Sequence, residues 1–335
     1  MRKPSIRSAL RGEDQRLRLP FRLAWNETDR RLRAPIRIAI AFALFVVLAG
    51  AGNQFRPTLL AGDGALVQVV NMIGRHLPNA IGLSLAVILA ALLIDRRRLA
   101  DLGLSVDRGW WRGLIGGTAL GGGITLLAVG GGIAFGYYEF AGVATPRDPL
   151  VWPLLAVGGA VFQLIFVVPE ELFVRGYLIT NVTEGLDGVP SVPRWLAAGV
   201  GVLAASGVFY LTHAAAKGPT VGLMMGSLSI LLGLGYVLSG DLSVPVGIHF
   251  GFNFAGVLVG TNPQPASLLR TTSSTTVRES LALPIEAVAG RLVGALLGIA
   301  ILVAWYLLVV GRLRVVADIA RPTFRRAVTG ETGDG

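Results

Sequence analysis

Long apolar runs separated by short polar loops dominate this chain. They fall roughly at 37–56, 77–94, 113–137, 150–182, 194–214, 219–239, 242–260 and 288–310. Each is near the length that a helix needs to cross a hydrocarbon core of ~30 Å. The pattern predicts an all-α, polytopic membrane protein with about eight transmembrane helices. The fourth run is too long for a simple crossing, so it should tilt or project beyond the bilayer. Only Lys217, Gly218 and Pro219 separate the fifth run from the sixth. The membrane domain is expected over 37–312, between an arginine-rich tail at 1–36 and a second tail at 313–335.

Composition supports this pattern. The chain is 53% hydrophobic and 15% charged, where a soluble domain carries about 25% charge. It has no cysteine, which removes disulfides, a thiol nucleophile and thiolate metal ligands. The formal charge of +10 comes almost wholly from arginine. In a soluble protein that balance would suggest nucleic acid. Here the cations sit beside apolar runs and read as the positive-inside signal, so no nucleic-acid partner is expected. Arg96, Arg97, Arg98, Arg108 and Arg112 follow the second run. Arg312, Arg314, Arg321, Arg325 and Arg326 follow the eighth. With eight crossings these share one side with the N-terminal cluster. Arg56, Arg75, Arg147, Lys217, Arg270 and Arg278 fall on the other. Both termini are therefore expected in the cytoplasm of a multi-pass cell-membrane protein, with the Thr271–Thr276 run in an external loop.

Three further stretches change the picture little. Leu17–Trp25 mixes Arg with Leu, Phe and Trp and reads either as a membrane-surface segment or as part of a tail that only sets topology. The basic stretch before the first apolar run is too long for a signal peptide. The third run holds Gly116, Gly117, Gly121, Gly122, Gly123 and Gly130–Gly132. These read as helix packing, because a phosphate loop needs a preceding strand and a following Lys-Ser/Thr.

The chemistry lies among the few strongly polar residues inside the runs of 150–260. They are Glu170, Glu171, Arg175, His213, His249 and Asn253, with Gln163 and Asn181 as lesser members. Ionisable groups in lipid usually face a polar interior and mark a functional site. The plainer readings are a Glu171–Arg175 ion pair one turn apart and histidines bonded to neighbouring carbonyls. Lipid satisfies none of these groups, so they are expected to gather. Phe209 shares a helix face with His213, and His249 shares one with Asn253. Such a gathering holds a carboxylate base, two imidazoles and an amide donor, the parts needed to activate water and stabilise an oxyanion. Straight helices would leave Glu170, His213 and His249 at roughly 20, 30 and 12 Å above their loops. Tilt or uneven loop levels must absorb that gap. His76, beside Arg75 in an expected external loop, is assigned no role.

Glu170-Glu171-x3-Arg175, then Phe209-x3-His213, then His249-x3-Asn253, in that order in hydrophobic segments, resembles the signature of the CPBP family. These are CAAX-protease and bacteriocin-processing (Abi) intramembrane proteases, including the type II CAAX prenyl endopeptidase. The resemblance covers about 150–260, and Asp101-Leu102-Gly103-Leu104 also looks typical of bacterial and archaeal members. It implies peptide-bond hydrolysis in a cavity open toward the cytoplasm. Glu170 would activate the water, helped by His213. Glu171 and Arg175 would pair and orient the site, and His249 and Asn253 would polarise the scissile carbonyl. The substrate would be a peptide or protein, membrane-anchored or not, in contact with the lipid bilayer. Glu170, His213 and His249 would be the ligands if the enzyme used a divalent metal such as zinc. The reading taken is that no metal is tightly bound, since His-Glu-x-x-His is absent. The alternative is a catalytically silent scaffold or bacteriocin-immunity-type protein of the same fold. A small transporter is a third option, disfavoured because no internal repeat is evident.

Overall fold

The computed structural model describes residues 24–316 and residue 319, apart from 28, 145–149, 188, 263, 274–284 and 310. Most of the Arg-rich tail and the C-terminal tail, with Leu17–Leu23, Arg147 and Arg278, lies outside the described residues. A short antiparallel pair, β1 (Trp25–Asn26) and β2 (Arg31–Leu32), leads into α1 (Ala34–Gln54). Next come α2 (Ala65–Leu89), continued by a π turn at Ala90–Ile94, and α3 (Arg108–Ala134). The fourth crossing is one continuous helical rod: α4 (Trp152–Glu171), a π-helical segment (Leu172–Ile179) and α5 (Thr180–Asp187). Then follow α6 (Arg194–Lys217), α7 (Pro219–Ser239), α8 (Ser243–Leu258) and α9 (Ile285–Val309).

The chain is an all-α polytopic membrane protein. Among the described residues six helices are long and apolar enough to cross a bilayer. The last two apolar runs appear as shorter apolar helices, Ser243–Leu258 and Leu292–Leu308. Expected boundaries move by a few residues in most runs, with one larger change. The second crossing starts at Ala65 and spans 30 residues to Ile94, so Arg75 and His76 lie in a helix and not in a loop. His76 bonds through Nδ1 to Met72 O at 2.8 Å and packs on Phe162 and Phe166. The expected external loop at 271–276 also changes. Its start belongs to β4 (Leu269–Ser273), antiparallel to β3 (Tyr138–Val143), and the rest lies outside the described residues.

The helices alternate in direction, so the bundle has two ends. One end gathers the start of α1, the loop after α2, the α5–α6 link and the residues after α9. The far end carries the β3–β4 ribbon and the α6–α7 break at Gly218. At the first end Arg31 and Arg97, which read as topology signals in the sequence, are buried in ion pairs together with Arg37. Arg31 and Arg97 both pair with Glu184, and Arg37 bridges Glu184 and Asp95 at 3.2 Å each. Asp95 also accepts from Tyr177 Oη at 3.1 Å and Asn181 Nδ2 at 2.7 Å. Burial pulls Arg97 down to about 10, against the attraction of Asp95. A buried charge is tolerated only when paired in this way.

Gly117, Gly121 and Gly122 of α3 pack against α8 as expected, whereas a Cβ on Gly116, Gly123, Gly130 or Gly131 would meet nothing within 4 Å. A Cβ on Gly117 would meet Val244 O at 2.5 Å, and one on Gly121 or Gly251 would strike the facing backbone. Thr125 Oγ1 donates to Phe252 O across the same seam at 3.0 Å. Bare backbone on both sides lets the two helices approach this closely. The seam thereby fixes the height and rotation of α8, which carries His249 and Asn253.

Candidate active site

Pro169 prepares the ground. It lacks an N–H, so the carbonyl of Ile165 loses its helical donor and the local ladder is weakened. The π-helical segment begins three residues later. Segments of this kind are uncommon and often lie at functional sites. Glu170 and Glu171 stand at the junction.

Glu171 is fully buried, and its Oε1 is shared. Arg175 Nη1 donates to that oxygen at 2.8 Å, and His249 Nδ1 lies 2.7 Å from it. The bland ion pair read from the sequence is therefore present, but it holds an imidazole as well. Arg175 is also fully buried and donates from Nη2 to Ser229 Oγ at 2.7 Å. Its guanidinium lies over the Phe209 ring, 4.6 Å from the centroid. Sequence reasoning missed Ser229, since a lone serine in an apolar run carries no signal.

Phe209 joins the two imidazoles. Its ring centroid is 4.4 Å from that of His213 and 5.8 Å from that of His249. His213 Nδ1 bonds to Phe209 O at 2.8 Å, the carbonyl contact that the plainer reading anticipated. Glu170 is half-buried. It lies within electrostatic range of His249, Glu171, Arg175 and Lys217, and has no hydrogen bond or ion pair with any described residue. The structure thus brings Glu171, Arg175, His249 and His213 together around Phe209, with Glu170 in electrostatic range of Glu171, Arg175 and His249. Asn181 does not join it. Asn181 bonds Asp95 at the arginine-rich end, six residues beyond Arg175 along the rod. Gln163 is buried with no partner for its Nε2 among the described residues.

Next to this group lies a cavity of about 760 Å³, within the range of ligand pockets. Asn253 lines it, one turn from His249, and so does Lys217, one turn from His213. Leu127, Val129, Met224, Met225, Phe252 and Val293 make its walls apolar. Glu170, Glu171, His213 and His249 do not line it, so the group and the cavity meet at Asn253 and Lys217.

Residues 148–255 match the family model of type II CAAX prenyl endopeptidase Rce1-like proteins. The matched region runs from just before α4 into α8 and contains every residue of the group above. No curated protein matches the chain. The Rce1-like region is similar to intramembrane endopeptidases of the CAAX-protease type, and its helices are those of an integral membrane protein.

The Rce1-like region does not suit the suggested metal site. Among the described residues no three His, Asp or Glu side chains are grouped to hold an ion. Of the candidate set, His213 bonds Phe209 O and His249 bonds Glu171 through Nδ1, and the remaining ring nitrogens are not brought with Glu170 into a three-ligand group.

Proposed function

We propose that the chain is a membrane-embedded endopeptidase in which Glu170 activates the attacking water. One observation carries this reading. Of two adjacent carboxylates in an apolar rod, one is fully buried and committed to Arg175 and His249, and the other, beside them, keeps part of its surface accessible. A general base must be reachable by water, and Glu170 meets that condition while buried Glu171 does not. Glu171 and Arg175 act on position. The Glu171 carboxylate, held by Arg175, bonds Nδ1, fixes the His249 ring and leaves Nε2 for the substrate. When that ring is protonated, Nε2–H and the Asn253 amide donate to the scissile carbonyl oxygen as negative charge develops there. Glu171 then holds the imidazolium in place. His213, packed against Phe209, helps to hold the water beside Glu170. The substrate is a peptide or protein that reaches the bilayer.

The test compares peptide termini in the membrane fraction of a deletion strain carrying either the parent chain or Glu170→Gln. Loss of a defined set of new termini with Glu170→Gln, at equal protein level, is expected. Unchanged termini would remove Glu170 from the base role. Rescue of the deletion phenotype by Glu170→Gln would point to a scaffold.

A further inference from the structure

The expectations of cytoplasmic termini and a cytoplasmic opening cannot both hold. The cavity is built entirely from the far half of the bundle: the end of α3, the Lys217 end of α6, the start of α7, the end of α8 and the start of α9. Phe135, Tyr137, Tyr138 and Asn262, on the loops around the β3–β4 ribbon, edge it. The start of α1 and the end of α9 lie at the other end. That end is tied together by Arg31, Arg37 and Arg97 on Asp95 and Glu184. Val316 N also donates there to Val237 O.

Charge decides between the two expectations. Short loops rich in Arg stay in the cytoplasm, and acidic residues count for little in this bias. The loop after α2 has Arg96, Arg97 and Arg98, and the segment after α9 has Arg312 and Arg314. The far-end loops hold single cations such as Arg56, Arg270 and Lys217. Pairing of Arg31, Arg37 and Arg97 with acids forms on folding, after the crossings are set, so it does not cancel their weight.

The geometry points to a site reached from the non-cytoplasmic side of the membrane. The substrate is then a polypeptide segment that is membrane-anchored or exported and presented on that side. This rests on the peptidase reading for the word substrate, but the direction of access stands on topology alone.

The absence of cysteine from the sequence makes the test direct. Asn262→Cys and Phe135→Cys, both exposed at the cavity's edge, are made singly in the full chain. Ala100→Cys, exposed in the loop after α2, reports the other end. Intact cells are treated with a membrane-impermeant maleimide. The expected result is labelling at 262 and 135 in intact cells, and at 100 only after permeabilisation. The opposite pattern overturns the proposal. Repeating the labelling on Glu170→Gln separates the two readings. Outward labelling with no cleavage by the parent chain refutes the peptidase alone. Inward labelling with Glu170-dependent cleavage refutes the route alone.

Discussion

Replacing Arg175 with Met tests the site at its most constrained point. Methionine keeps an unbranched apolar stem in place of the arginine's and removes the guanidinium, so the loss of charge is the main change. Glu171 is fully buried and would keep only His249 as a partner. Breaking a buried ion pair by removing one member costs about 3–5 kcal/mol, because the other charge stays buried without compensation. The bond to Ser229 and the stacking on Phe209 are lost as well, but such terms do not add independently. We expect a net loss of about 3–5 kcal/mol. In Glu171→Gln/Arg175→Met no charge is stranded, so the double variant should fall short of the summed single losses by at least about 2 kcal/mol, within the range for groups in direct contact. Reversible unfolding in mixed micelles, followed by tryptophan fluorescence, measures both. A single-variant loss below about 1 kcal/mol, the ordinary scale for a point substitution, or strict additivity in the cycle, would refute the account of Glu171 as a buried carboxylate that depends on Arg175.

Three further outcomes are expected. Gly121→Val should displace α8 and abolish both cleavage and a sharp unfolding transition, whereas Gly123→Val, whose Cβ meets nothing within 4 Å, should keep both. Glu184→Gln should leave Arg31, Arg37 and Arg97 with only Asp29 and Asp95 to balance three buried cations and cost about 3–5 kcal/mol in the same unfolding assay. Asp241, at the α7–α8 junction, has its carboxyl raised chiefly by burial, against the Ser243 N–H that lowers it. A carboxyl raised in the folded state binds its proton more tightly there than in the unfolded chain. Stability should therefore be highest in acid, fall as pH rises through that raised value and level off above it. Asp241→Asn should flatten this slope in unfolding measured between about pH 4 and neutrality.

The crossings were legible because lipid forces a simple rule on sequence: apolar stretches of a set length with polar punctuation. The group at Glu171 was legible for a related reason, since charges in such stretches must find one another. The partner of each group was not. Asn181 and Glu171 look alike as polar residues in one run, yet they serve opposite ends of the rod. The widened turn between them leaves no mark on a hydropathy pattern. Arg31 and Arg97 read as topology signals because burial at a helix end depends on which acid a neighbouring helix brings. Asp95 and Glu184 do so here, from positions 89 residues apart in sequence. The β3–β4 ribbon was missed because Tyr138–Val143 and Leu269–Ser273 are short and lie far apart along the chain.

The stretch Leu172–Ile179 sets the phase of a gear. In an ordinary helix each residue advances about 100°, and the wider turns here advance less. One rod can thereby aim Glu171 at His249 and, further down, Glu184 at the arginines. Coiling the same eight residues as an ordinary helix would swing the lower half by about a quarter turn or more. One cluster could then engage only by releasing the other. The bundle's arginine-rich end and its reaction centre are for that reason cut from a single mechanical part, and a loosening at either should be felt as rotation at the other.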